Sequence, residues 1–114
     1  MRVMVTGSTT WDDRSRIMAE MKRIPVSILV PGPADRGADQ IAMSVAVYLR
    51  WYVERWRRDT SPNGQLRHIA AAVRTTPDLC LAFLEPGKDE GEMMAILAER
   101  RGIETRRIYG SSNR

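Results

Sequence analysis

Short apolar runs and amphipathic stretches alternate along the 114-residue chain from end to end, the pattern of β-α units that build a mostly parallel sheet. Arg2 to Thr6 (RVMVT) predicts a first strand, followed by the loop GSTTWDD. Asp12 or Asp13 can cap a helix that runs to about Arg23 and is ended by Pro25. Val26 to Val30 (VSILV) predicts a second, buried strand, and PGPADRG leads into a helix whose Ala38, Ile41, Ala42, Val45 and Leu49 share one face. WYVER is a strand candidate ahead of the polar loop WRRDTSPNG, after which Leu66, Ile69, Ala70 and Val73 mark a third amphipathic helix. Asp78 to Leu84 is apolar at nearly every position, as a central strand covered on both faces should be. The loop EPGKDEG then opens a helix to about Arg101, Gly102 supplies a left-handed stop, and IETRRIY makes an edge strand.

This order of elements predicts one α/β domain of Rossmann type over residues 1–110: an open, mostly parallel sheet of about five strands with helices on both faces. The last residues, 111–114, read as a frayed tail. A chain of this length can bury roughly two-thirds of its unfolded surface. With 43% hydrophobic and 28% charged residues its composition is globular, and no apolar run approaches the ~20 residues of a membrane span. The N-terminus MRVMVTGS turns polar too early for a secretory signal, so the expected location is the cytoplasm. The single Cys80 cannot form an internal disulfide, and within LCLAFL it reads as a small buried thiol. A net charge of +4 is compatible with nucleic acid, with an anionic small ligand or with neither, and decides nothing alone.

In an open parallel sheet, ligands sit beyond the carboxyl ends of the strands where the strand order reverses, which directs attention to the loops after the first and fourth strands. In the first, Gly7 lets a ligand approach the main chain, Ser8 offers a hydroxyl, and the following helix presents unpaired N–H groups. Gly7 could equally serve as a tight turn. The second loop carries Gly32, Arg36 and Gly37, with Asp39 in the first turn of its helix. There Arg36 could pair with a phosphate or simply be solvated, and Asp39 could be a ligand contact or a dipole partner. The third loop holds Pro86, Gly87 and Gly91 around Lys88. Beside them Glu85, Asp89, Glu90 and Glu92 would repel an anion unless they point away or hold a cation. The chain has no GxGxxG, no P-loop and no CxxC, and its only histidine is His68, which disfavours a zinc site or a serine–histidine triad. His68 reads as a surface or pocket-rim residue rather than a catalytic base.

Three segments together, VTGSTTWDD, GPADRGADQIA and FLEPGKDEGEM, resemble the SLOG superfamily, in particular its small YspA-like branch related to YpsA. The likeness rests on Gly7-Ser8 with Trp11, on Gly32 through Asp39, on Trp56 with Gly64 and Arg67, and on Pro86-Gly87 with Gly91. It spans nearly the whole chain. Thr9 stands where that branch often has arginine, Pro33 replaces a glycine, His68 replaces an asparagine, and PGKDEGE departs from the PGG-x-GT form. The resemblance implies a Rossmann-like domain that binds a nucleotide or nucleotide-derived ligand, a relation shared more distantly with the LOG phosphoribohydrolases and DprA.

The leading expectation is therefore a module that binds or senses such a ligand through Gly7, Ser8, Gly32, Arg36, Gly37, Asp39, Arg67, Pro86, Gly87 and Gly91, with no metal and no identified cofactor. A hydrolase of N-glycosidic bonds, with Glu90 or Glu92 acting on the reacting centre, is an alternative. In LOG enzymes a glutamate shortly after the glycine motif is catalytic, but Met93 falls near its place here. A second alternative is a single-stranded nucleic-acid binder built on Trp51, Tyr52, Arg55, Trp56, Arg57 and Arg58, whose aromatics could instead fill the core. Met18, Met21, Met43, Met93 and Met94 exceed what one small core is expected to bury, which favours a homodimer or larger homo-oligomer.

Overall fold

Strands and helices alternate without exception: β1 (Arg2–Gly7), α1 (Arg14–Lys22), β2 (Ile28–Pro31), α2 (Ala38–Tyr48), β3 (Tyr52–Val53), α3 (Gly64–Arg74), β4 (Leu79–Leu84), α4 (Glu92–Arg100) and β5 (Glu104–Tyr109). The computed structural model describes residues 1–57, 60–87 and 91–110, so the expectations placed on Arg58, Lys88, Asp89, Glu90 and the tail 111–114 lie outside the described residues. All strand pairs are parallel and the sheet order is β3-β2-β1-β4-β5. The expected Rossmann-like α/β architecture is thus present, and the order reverses between β1 and β4.

Strand alternation divides the core between the two faces of the sheet. Val3 and Val5 of β1, Leu29 of β2, and Leu79, Leu81 and Phe83 of β4 pack with the buried residues of α1 and α2. Met4, Val30 and Cys80 face the other way, toward Ile69, Ala72 and Val73 of α3 and Met94 and Ala98 of α4. Every position of β4 is buried, which explains its unbroken apolar sequence. Burial also pushes the Cys80 thiol up to about 12, leaving a small apolar filler without a reactive thiolate.

Local chemistry sets the element ends. The Asp13 carboxylate caps α1 by accepting from the Arg16 N–H at 3.1 Å. At the end of α4, Gly102 adopts φ +81°. Its N–H reaches the Glu99 carbonyl and that of Ile103 reaches Ala98, the paired bonds of a Schellman stop. The second strand begins at Ile28 rather than Val26, because Ser27 folds back to donate to the Pro25 carbonyl at 2.6 Å and Val26 is left in solvent. On α3, Ile69 and Val73 are buried as expected, but Leu66 is exposed and Ala70 half-buried, while Gly64 and Ala72 complete the buried face. Of the methionines, Met21 and Met94 are fully buried, whereas Met43 and Met93 are exposed.

Candidate functional site

The loops after β1, β2 and β4 meet at the point where strand order reverses. Gly7 pairs with Phe83 in register, and the Ser8 N–H donates to the Phe83 carbonyl at 2.9 Å. A Cβ on Gly7 would fall 2.0 Å from that carbonyl oxygen. Gly37, at φ +66°, presses on the main chain of Ser8 and Thr9, and the Ser8 carbonyl accepts from the Ala38 N–H at 3.0 Å. Gly91, at φ +89°, rests on Gly7. The starts of α2 and α4 therefore both converge on Gly7-Ser8. These glycines permit main-chain contact within the protein, while a Cβ on Gly87, at φ +80°, would meet nothing within 4 Å among the described residues.

The acceptor in this crevice is the protein's own carboxylate. Ser8 is fully buried and its hydroxyl donates to Glu85 Oε1 at 2.5 Å; the Thr10 hydroxyl donates to the same oxygen. The Thr10 N–H in turn donates to Ser8 Oγ at 3.2 Å. Glu85, immediately beyond β4, was visible in the sequence only as one of several acids near a glycine loop.

Asp39 is drawn beneath the second loop. It is 3% exposed, its Oδ2 accepts from the Ala34 N–H at 2.8 Å, and its Oδ1 has no hydrogen-bond partner. Gly32 leaves room for this carboxylate: a Cβ there would lie 2.4 Å from Oδ1. Desolvation raises the Asp39 carboxyl from 3.8 to about 6, against the lowering influence of Ala34, Thr6 and Gly7. Asp39 thus holds the Gly32–Ala34 turn, and Gly32 is glycine because the carboxylate occupies its side-chain space.

A cavity of about 1150 Å³ lies to one side of the β1/β4 crevice, beyond the carboxyl ends of β2 and β3. One wall is the loop from Pro31 to Asp35. Met43 and Val47 of α2, the segment Val53 to Trp56, and Asn63, Gly64, Gln65 and His68 at the start of α3 form the others. The rings of Trp56 and His68 stand 5.0 Å apart at 39°. His68 Nε2 donates to the Pro31 carbonyl at 2.8 Å, which fixes the proton on that nitrogen. Trp56 Nε1 donates to Glu54 Oε1 at 3.0 Å, and Arg2 clamps the same carboxylate through two bonds of 2.7 and 3.0 Å. The Arg2 guanidinium holds the Glu54 carboxyl below its ordinary value, and Glu54 raises that of Arg2. The aromatic wall is therefore braced from both sides: by the end of β2 and by the start of β1.

Of the sequence candidates, Gly32 lines this cavity and Asp39 supports its loop; Gly7, Ser8, Gly37 and Gly91 build the adjoining crevice. Pro86 is exposed beside Gly87. Arg36 is exposed on the loop and is not among the cavity-lining residues. Arg67 lies on the far side of Trp56 and His68, bonded to Ser61 Oγ at 2.5 Å and to the Pro62 carbonyl at 3.3 Å. Glu92 faces β5, within 3.3 Å of Arg107, whose guanidinium also grips Glu99 at 2.8 Å. In the aromatic segment Trp51 is buried against α2 and Tyr52 is exposed. The sequence reading missed the pairing of Trp56 with His68. Its signal was present: His68 lies four residues after Gly64 and four before Ala72, on the side of α3 that turns inward. Among the described residues no three His, Cys, Asp or Glu side chains gather to hold a metal, and no helix is long and apolar enough to cross a membrane.

In comparisons with known proteins, no family model, curated protein or solved structure matches this chain.

Proposed function

We propose that this domain binds a nucleotide or nucleotide-derived ligand, with the planar base in the cavity at the ends of β2 and β3. The observation that carries the reading is the Trp56–His68 wall: a preset aromatic surface, fixed by Pro31 and by the Arg2–Glu54 pair, on a cavity beyond the carboxyl edge of a parallel sheet. Met43, Val47 and Val53 supply apolar contact. Asn63 and Gln65 offer side-chain amides that both donate and accept, as the edge of a base requires. The cavity exceeds the roughly 300–1,000 Å³ of ordinary ligand pockets, so base and ribose fit together.

The crevice at Gly7 and Ser8 supports this role as scaffold: its hydroxyls are committed to Glu85 and its glycines to main-chain packing. The reading is one of binding or sensing. Glu92, a candidate for glycosidic hydrolysis, is held in an ion pair with Arg107, away from the cavity lining.

Calorimetric titration with nucleoside monophosphates and nicotinamide dinucleotides tests the proposal. Saturable binding by at least one probe is expected. Val47→Trp, which adds bulk at an exposed position of the cavity lining, should abolish it while leaving the melting temperature unchanged. Equal binding by wild type and Val47→Trp would place the site elsewhere.

A further inference from the structure

We propose that the open edge of β5 pairs with the same edge of a second copy of this chain, antiparallel and two-fold symmetric. In this pairing Thr105 lies opposite its own copy and Glu104 lies opposite Arg106 of the partner subunit. The proposal is independent of what the cavity binds.

β5 ends the sheet, with β4 along its inner side and α4 over one face. Just past the strand, the Gly110 N–H donates to the Leu84 carbonyl at 2.9 Å. By strand alternation Ile108, Arg106 and Glu104 also turn their N–H and C=O groups toward β4, whereas Thr105, Arg107 and Tyr109 turn theirs outward. Among the described residues no strand lies beyond them, and such an edge is a template for another strand. Thr105 sits in the first half of β5, remote from Gly110, where the chain turns against the Trp11 ring.

The side chains select one register. When a two-fold axis stands perpendicular to the joined sheet, one residue of the strand meets its own copy. A centre at Glu104, Arg106 or Arg107 sets a like charge against itself, and a centre at Ile108 or Tyr109 runs the pairing into Gly110 and past it. A centre at Thr105 is self-complementary. Its outward N–H and C=O exchange two hydrogen bonds with their copies, the two threonines form a favourable cross-strand pair, and Glu104 meets Arg106 of the partner subunit twice over. The Glu104 and Arg106 side chains are 63% and 53% exposed and stand 3.0 Å apart within one chain, so two copies would close a ring of four alternating charges. Arg107 adds no repulsion, because Glu92 and Glu99 hold it on the other face. Charges on an edge strand ordinarily keep a second strand away; here their order, acid then neutral then base, makes one register attractive.

Sedimentation equilibrium at concentrations up to the millimolar range tests the pairing. Wild type should form a reversible dimer that weakens as salt is added. Glu104→Arg and Arg106→Glu should each weaken the dimer about tenfold, since each turns both cross-strand attractions into repulsions. An equimolar mixture of the two variants should recover it, because the charges facing each other are again opposite. Wild type that stays monomeric would overturn the proposal, and so would single variants that dimerise as tightly as wild type, which would place any interface elsewhere. A mixture that fails to recover while both variants keep the wild-type melting temperature would also overturn it. Should either variant melt early, Thr105→Cys gives a second reading. Opposed Cα atoms about 5.5 Å apart are within disulfide reach, and the buried Cys80 does not compete. A disulfide-linked dimer is then expected under mild oxidation, and its absence would overturn the register.

Discussion

Gly91 lies against the main chain of Gly7 so closely that a Cβ on Gly91 would stand 2.6 Å from both the Cα and the carbonyl carbon of Gly7. The contact joins the start of α4 to the end of β1, across the point where strand order reverses. It gives these glycines a packing role that a sequence shows only as glycine near a helix start, the same sign that a phosphate loop gives.

Alanine at Gly7 and alanine at Gly87 should therefore differ sharply in cost. At Gly7 the new methyl meets the Phe83 carbonyl and the Ala38 side chain, and the obstruction is mostly backbone. A loss of about 3 kcal/mol or more in denaturant unfolding is expected. At Gly87 the methyl meets nothing among the described residues and the left-handed φ carries the penalty, so a loss of about 1 kcal/mol is expected. Comparable losses at both positions would show that the crevice is not closed by main-chain packing.

Asp39 makes stability depend on pH in the direction opposite to an ion-paired acid. Its folded carboxyl titrates at about 6, above its ordinary 3.8, so the native state holds the proton more tightly than the unfolded chain does. The stability this group contributes is fully present below 3.8 and is lost as pH rises through about 6. The span corresponds to roughly 3 kcal/mol. Glu54, lowered by Arg2, acts in the opposite sense, so wild type alone does not isolate the effect. The difference between wild type and Asp39→Asn does. Relative to the variant, wild type should gain stability as pH falls from 7 to 4, in unfolding curves taken at half-unit steps. A constant difference would mean that Asp39 ionises freely in the fold.

The frame of the fold was legible because each buried element declared its period. LCLAFL could only be a doubly covered strand, and Ala38, Ala42 and Val45 repeated at helical spacing on a face that is in fact buried. Gly102 marked its stop because only a left-handed residue fits there. The site was less legible because it depends on contacts between distant segments. Ser8 meets Glu85 across 77 positions, Arg2 meets Glu54 across 52, and His68 meets Pro31 across 37. Each partner looked ordinary where it stood. The glycine loops drew attention to the carboxyl edge of the sheet, yet the 1150 Å³ cavity lies beyond β2 and β3, where the two-residue strand Tyr52–Val53 gave the faintest pattern in the chain.

The three tryptophans provide the most direct measurement of the central claim. Trp11 is buried against Phe83 and Trp51 is buried with α2, both on the α1/α2 side of the sheet, while Trp56 packs on the opposite side and walls the cavity. Their indole N–H signals can be followed separately during titration with a nucleotide such as AMP or NAD. A saturable shift of Trp56 alone is expected, lost in Val47→Trp, with Trp11 and Trp51 unmoved. A saturating ligand that shifts Trp11 or Trp51 and leaves Trp56 untouched would contradict it.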